Sequence, residues 1–267
     1  MTPLRKINNY LNVLREFYRI NKSAYKNSKN IDILKKNIEL CNKYKGERII
    51  IVQTGNSVDN IDFKFLKNEY VFGCNFLALH KSFDDLDINF YLDIDTWSYR
   101  LYYTYCWWFD ILYTRTNPGT KIFASASSYE MIKDRRNFRK EDTHYLAFNS
   151  RFSDSSNISI KVDQMCNIVT QGSFSATICL SIFMGFKDIY LIGADYAKDP
   201  LVAGHFYDGV KSYTKPDNAL VKNYRAINEF AKNKGVNIYN VVDDGFNSRV
   251  FSQIERDKFL ELIQQKR

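Results

Sequence analysis

Arg48-Ile49-Ile50-Ile51-Val52-Gln53-Thr54-Gly55-Asn56-Ser57 is a run of buried-type residues that ends in a small polar turn. A second stretch runs Thr170-Gln171-Gly172-Ser173, then an apolar helix, then Asp188-Ile189-Tyr190-Leu191-Ile192-Gly193-Ala194-Asp195-Tyr196. Each joins an apolar strand to small polar residues. In an open parallel sheet, such strand ends expose backbone N–H groups where an anion can bind. The two stretches together predict a nucleotide site in an α/β protein.

Working outward, strand and helix alternate from residue 48 onward. Strands are predicted over 48–53, 70–74, 88–93, 120–124, 166–169, 188–193 and 236–241. Helices are predicted over 97–113, 127–134, 174–184, 218–234 and 252–265. Short apolar strands separated by helices predict a Rossmann-like, mostly parallel sheet with helices on both faces. A small lid region is expected near 197–217. The stretch 136–165 is polar, Ser-rich and weakly patterned, which reads as a loop or the base of a lid. The domain expected over 47–267 is preceded by a helical hairpin over 1–46. There Leu4, Ile7, Leu11, Leu14 and Tyr18, then Ile31, Leu34, Ile38 and Cys41, recur at helical spacing. Its polar faces are basic (Arg5, Lys6, Arg15, Arg19, Lys35, Lys36), so packing on the domain, self-association and an anionic membrane surface all stay open.

The chain has 267 residues, enough for one large domain and a small attachment. Its net charge of +8 suits a nucleotide-sugar, a membrane surface or nucleic acid, and biased composition produces the same excess. The basic residues follow no nucleic-acid-reading motif, so no nucleic-acid partner is expected. Cys41, Cys74, Cys106, Cys166 and Cys179 are odd in number and widely spaced, without a C-x-x-C. That pattern argues for a reducing compartment and against a disulfide scaffold or thiolate zinc site. With no visible signal peptide and no apolar run of spanning length, a cytoplasmic protein is expected, with peripheral attachment at the inner membrane left open.

Thr54, Gly55, Asn56 and Ser57 form the first candidate nucleotide-binding turn. Gly55 would permit close backbone approach, and its neighbours offer side-chain hydrogen bonds. The next strand ends in Cys74-Asn75, where the Asn75 amide would read a base or ribose, or cap a turn. Gln171, Gly172 and Ser173 open a helix whose free N–H groups favour negative charge. Gly193, Asp195 and Tyr196 sit at the carboxyl end of a further strand, the usual place for ligand chemistry in open sheets.

These stretches resemble the bacterial sialyltransferases of glycosyltransferase family 42, and a wider set including motility accessory factors and an archaeal pterin pyrophosphokinase. Those transferases carry a Gly-Asn-Gly-Pro-Ser-Leu turn followed by Ile-Asp-Tyr. Here the corresponding residues are Gln53 to Val58 and Ile61-Asp62-Phe63. Their next strand ends Cys-Asn, like Cys74-Asn75. Their Gly-Tyr-Lys-Glu-Ile-Tyr-Leu-Ser-Gly-Ile-Asp-Phe segment matches Gly185 to Tyr196, the most specific block. The resemblance covers roughly 48–80 and 166–242. It implies transfer of a sialic-acid-like sugar from a CMP-sugar donor to a bacterial surface glycan or glycolipid precursor, with inversion and no required metal. It also implies donor contacts from Thr54, Ser57 and Asn75, with Gln171-Gly172 on the sugar or phosphate side. The family's Pro is Asn56 here and its turn Ser is Gln171. Asn218 falls near the position of its catalytic histidine.

Inverting transfer needs a base for the acceptor hydroxyl and stabilisation of the departing phosphate. His205, inside Gly204-His205-Phe206-Tyr207-Asp208-Gly209, is the candidate base, because imidazole titrates near neutrality. Asp208 would orient it or act in its place, and Tyr207 and Tyr213 would donate to the leaving phosphate. Asp93-Ile94-Asp95 supplies an alternative in which two carboxylates hold a divalent ion against a UDP- or GDP-sugar. A nucleotide-dependent pyrophosphokinase would also lean on Asp93 and Asp95. A non-enzymatic nucleotide-binding scaffold that assembles into a homo-oligomer through the hairpin is the third alternative. Tyr99, Tyr102, Tyr103, Tyr105, Trp107, Trp108, Phe109 and Tyr113 crowd one helix, where core packing is the default and acceptor stacking or a membrane interface the alternatives.

Overall fold

The computed structural model describes residues 31–93, 102–146, 148–149, 161–162, 168–169, 172–209, 212–214 and 218–265. Eight strands form one sheet: β1 Arg48–Val52, β2 Tyr70–Cys74, β3 Ile88–Asp93, β4 Lys121–Ser125, β5 Thr143–Leu146, β6 Asp188–Ile192, β7 Asn237–Val242 and β8 Ser252–Glu255. Their spatial order is β8-β7-β6-β1-β2-β3-β4-β5. Every neighbouring pair is parallel.

The order places the topological switch between β1 and β6. From β1 the chain builds outward to β5, then crosses back to lay β6 on the other side of β1. Connections therefore leave β1 and β6 in opposite directions, and a crevice opens at their carboxyl ends. Both sequence signatures end in that crevice.

Alternate strand residues supply the two cores, as the pleat requires. Ile49, Ile51, Ile189 and Leu191 face one side, with Ala176 and Leu180 of α2 (Gly172–Met184) and Ile227 of α3 (Asn218–Asn233). Ile50, Val52, Tyr190 and Ile192 face the other, with Phe109 and Leu112 of α1 (Tyr102–Arg115) and Phe259 of α4 (Arg256–Gln264). α2 is buried from Ser175 through Met184, its polar Ser175, Thr177 and Ser181 included, so it is a core helix and not a surface one.

Three expectations change. β5 lies inside the stretch expected to be a loop, at the edge of the sheet. Its alternation is masked because Thr143, His144, Tyr145 and Leu146 are all buried. Residues 252–255 form β8, and the helix expected from 252 begins at Arg256. Of the strand expected at 166–169, residues 166–167 lie outside the described residues, and Ile168–Val169 is a strand of a small three-stranded sheet with Phe148–Asn149 and Lys161–Val162, not of the main one.

Of the hairpin expected over 1–46, residues 1–30 lie outside the described residues. Ile31–Lys35 is helical and Lys36–Leu40 a 3-10 turn. Asn37 donates to the Tyr145 carbonyl at 2.7 Å, and Leu40 joins the core. Near the expected lid, Leu201–Ala203 pairs antiparallel with Ser212–Thr214, so the Gly204–Gly209 segment forms part of a hairpin connection. Among the described residues, no helix is long and apolar enough to cross a membrane.

Candidate active site

The two signature turns interlock before they can meet any ligand. The N–H groups of Gln53 and Gly55 donate to the carbonyls of Ile192 and Gly193, at 2.8 and 3.0 Å. A Cβ on Gly55 would collide with the Gly193 carbonyl oxygen and lie 2.8 Å from the Asp195 carboxylate. Gly193 has φ +67, and a Cβ there would sit 2.7 Å from the Gln53 carbonyl oxygen. Gly55 was expected to make room for a ligand; the close approach it permits is to β6.

Asp195 lies beneath this junction. It is 0% exposed, and its carboxylate accepts from the Ser57 N–H at 2.9 Å and from the Ser57 hydroxyl. Lys198 pairs with it at 3.1 Å and with Asp243 at 3.3 Å. Asp195 and Ser57 thus brace the turn from below, a different position from the ligand-facing one expected. Asn56 is also buried, and its Nδ2 meets no acceptor among the described residues.

Above the junction is a cleft of about 350 Å³. Thr54, Gly55, Asn75, Gly172, Ser173, Gly193, Tyr196 and His205 all line it, bringing together expected residues from five separate segments. Asn75 adopts φ +50 and donates from Nδ2 to Ser173 Oγ at 2.7 Å, tying the end of β2 to the start of α2. That start, Gly172-Ser173-Phe174, lines the cleft, and the dipole at a helix N-terminus favours an anion. Gln171 lies outside the described residues.

His205 reaches the cleft from the hairpin. Gly55 and His205 form an antiparallel bridge, and the Phe206 N–H donates to the Thr54 carbonyl at 3.0 Å. Thr54 Oγ1 lies 2.8 Å from His205 Nδ1. Asp208, expected to orient the imidazole, instead accepts from the His205 backbone N–H at 2.8 Å and closes its own turn. Tyr207 stacks on the imidazole, centroids 5.0 Å apart and planes 15° off parallel. Burial pushes the Tyr207 phenol up to about 12; Asp208 pushes the same way, and a hydrogen bond from Thr54 opposes it. The Tyr196 hydroxyl meets the Gly204 N–H at 3.4 Å, steadying the base of the turn. The backbone of Tyr213 pairs with Val202, and its side chain lies outside what the structure describes.

Asp93 is 3% exposed at the end of β3 and is not among the cleft's lining residues. Asp95, its partner in the metal alternative, lies outside the described residues. Among the described residues, no three His, Cys, Asp or Glu side chains are grouped to hold a metal ion.

Five lining residues were not singled out by sequence: Gln53, Phe174, Ala194, Leu220 and Tyr224. Gln53 was the readable one, a polar side chain closing a run of four apolar residues. Its Nε2 donates to Thr177 Oγ1 at 3.2 Å, and its Oε1 accepts from the Cys74 thiol at 3.1 Å. Burial raises the Cys74 thiol far above its ordinary range, so it stays a neutral donor. Leu220 and Tyr224 belong to α3, where helical periodicity marks only a covering face.

Fold and cleft together define an open, parallel α/β sheet with a cleft at its switch point. No family model matches the chain, and no curated protein matches it. The chain is similar to solved sialyltransferases of Campylobacter jejuni. The monofunctional alpha-2,3-sialyltransferase Cst-I aligns over 74% of this chain and 77% of its own, at 20% identity and TM-score 0.43. CstII with the substrate analogue CMP-3FNeuAc aligns over 73% of this chain and 80% of its own, at 13% identity and TM-score 0.40. CstII with a trisaccharide acceptor and CMP covers the same shares at 19% identity and TM-score 0.40.

Proposed function

We propose that the chain is an inverting glycosyltransferase that moves a sialic-acid-like sugar from a CMP-sugar donor to an acceptor hydroxyl. The observation that carries this reading is the 2.8 Å contact between Thr54 and His205, which sets an imidazole at the lip of a cleft floored by a helix N-terminus. A base beside an anion-binding helix end is what displacement of a phosphate leaving group needs. The sequence resemblance of Gly185 to Tyr196 supplies the donor class.

In this reading Thr54 donates its hydroxyl hydrogen to the Tyr207 oxygen and accepts from His205 Nδ1–H. The lone pair then sits on Nε2. Nε2 takes the proton of the acceptor hydroxyl as its oxygen attacks the anomeric carbon. The bond from that carbon to the phosphate oxygen breaks, and its electron pair leaves with CMP. The α2 N–H groups and the Tyr213 hydroxyl would stabilise the phosphate, so the chemistry does not require a divalent ion. The acceptor is a bacterial surface glycan or glycolipid precursor. Of segment 1–46, Leu34, Asn37 and Leu40 pack on the chain's own domain, and the basic residues of 1–30 would meet the inner-membrane surface or a second copy of the chain.

A thermal-shift panel of CMP, CDP, UDP, GDP and ATP, each with and without magnesium or manganese, tests the donor class, because a ligand that binds the native state raises its stability. A shift with CMP in chelator supports the reading. A metal-dependent shift with UDP or GDP would move the donor class and promote Asp93 and Asp95. A shift confined to magnesium-ATP would favour the pyrophosphokinase.

A further inference from the structure

Beside the candidate base, the chain leaves aromatic rings open to water. Phe76 and Tyr207 are each 39% exposed, and Leu79, three residues beyond Phe76, is 49% exposed. Large rings at a surface leave apolar area hydrated, and a contiguous group of them marks an interaction site. These rings are ordered against one another. Tyr207 stacks flat on His205. Phe76 meets Tyr207 edge-on, centroids 5.6 Å apart and planes at 89°. Phe76 in turn rests on Trp108, at 4.9 Å and 74°, and Trp108 is 3% exposed. A buried indole thus fixes the exposed phenyl from behind. Asn75, with φ +50, sits at the head of the turn that carries Phe76, so one short segment lines the cleft and presents the ring.

We propose that Phe76 and Tyr207 form the acceptor subsite, an aromatic step that stacks against the C–H face of a pyranose ring. The inference rests on the transferase reading. Two rings at right angles give a floor and a wall, which suits a ring-shaped ligand. The Tyr207 phenol adds one polar handle for a hydroxyl. Continuity with His205 chooses this occupant, because the base must reach the acceptor hydroxyl and Tyr207 stacks directly on it. A membrane surface is the poorer occupant, since the exposed rings beside the base come from a short turn and a loop and not from one continuous helix face.

The probes are lactose, N-acetyllactosamine, maltose and chitobiose, added to full-length protein with CMP and followed by saturation-transfer NMR. We expect at least one sugar to receive saturation on the protons of one ring face. Phe76→Ala and Tyr207→Leu should each weaken that sugar's affinity by about tenfold or more. Phe76→Tyr should keep it, and CMP affinity should stay within about twofold in the Phe76 variants. Sugar binding unchanged in both ring-removing variants, or no sugar signal from wild-type protein that binds CMP, would overturn the subsite. Adding phosphatidylglycerol vesicles separates the other occupant: Phe76-dependent vesicle binding without sugar binding overturns it too. If CMP fails to bind while a Phe76-dependent sugar signal persists, the donor reading fails and the acceptor role falls with it.

Discussion

Thr54 Oγ1 and His205 Nδ1 lie 2.8 Å apart across 151 residues of sequence. The contact joins the turn after β1 to the hairpin that follows β6, on opposite sides of the switch point. It makes Thr54, not Asp208, the residue that sets the orientation of the imidazole.

Thr54→Val should therefore lower kcat by about tenfold to a hundredfold with little change in donor KM, because a positioned base contributes through orientation. Thr54→Ser keeps the hydroxyl and should recover most of the rate. Steady-state kinetics on both variants check this; equal loss in Val and Ser would assign Thr54 a packing role instead.

Gly55→Ala and Gly193→Ala should both destabilise the fold by about 3 kcal/mol or more, since each Cβ meets backbone and Gly193 also needs positive φ. Urea unfolding of the two variants measures it. A loss below about 1 kcal/mol would mean that the two turns can separate without cost to the sheet.

Lys198 is 1% exposed and bridges Asp195 and Asp243. Lys198→Met leaves the Asp195 carboxylate buried without its cation, and stability should fall by about 3–5 kcal/mol. Adding Asp195→Asn should restore part of that loss, which a double-mutant cycle by chemical denaturation would read.

His144 supplies a pH prediction. Burial, then the cations of Lys36, Lys121 and Lys43, push its imidazole down from 6.5 to about 3. It is neutral in the fold at neutral pH, so its 3.6 Å approach to Glu39 is not an ion pair there. The unfolded chain takes up a proton near the ordinary value that the folded chain refuses. The stabilising contribution is full above about pH 6.5 and is lost as pH falls toward 3. Unfolding free energies from urea titrations between pH 7.5 and 4 should fall more steeply in wild type than in His144→Gln, by up to about 1.4 kcal/mol per pH unit. Parallel slopes would contradict the prediction.

Much of the sheet was legible because β1, β2, β3, β6 and β7 are apolar runs ending at polar or glycine punctuation. β5 was not, since its buried residues include Thr143 and His144, whose partners lie elsewhere: Tyr113 for the Thr143 hydroxyl and Asn37 for His144 Nδ1. β8 was hidden because Ser252–Glu255 is polar apart from Ile254 and mostly exposed at the sheet's edge. In the site, local pattern identified turns but not directions. It marked Asp195 and Ser57 as polar residues at a strand end, and only the fold shows Ser57 bonded to Asp195 and Asp195 paired with Lys198. It marked His205 and Thr54 separately, and only the switch-point topology brings them together. Tyr224 comes from a helix whose pattern reports coverage alone.

The most direct measurement is release of CMP from CMP-N-acetylneuraminic acid in EDTA, comparing wild type with His205→Ala. The account predicts CMP release by wild type without metal, stimulated by a sugar acceptor. It also predicts a loss of about a hundredfold to ten-thousandfold in the variant, with CMP affinity retained. No release by protein that binds CMP, or near-normal release by His205→Ala, would contradict it.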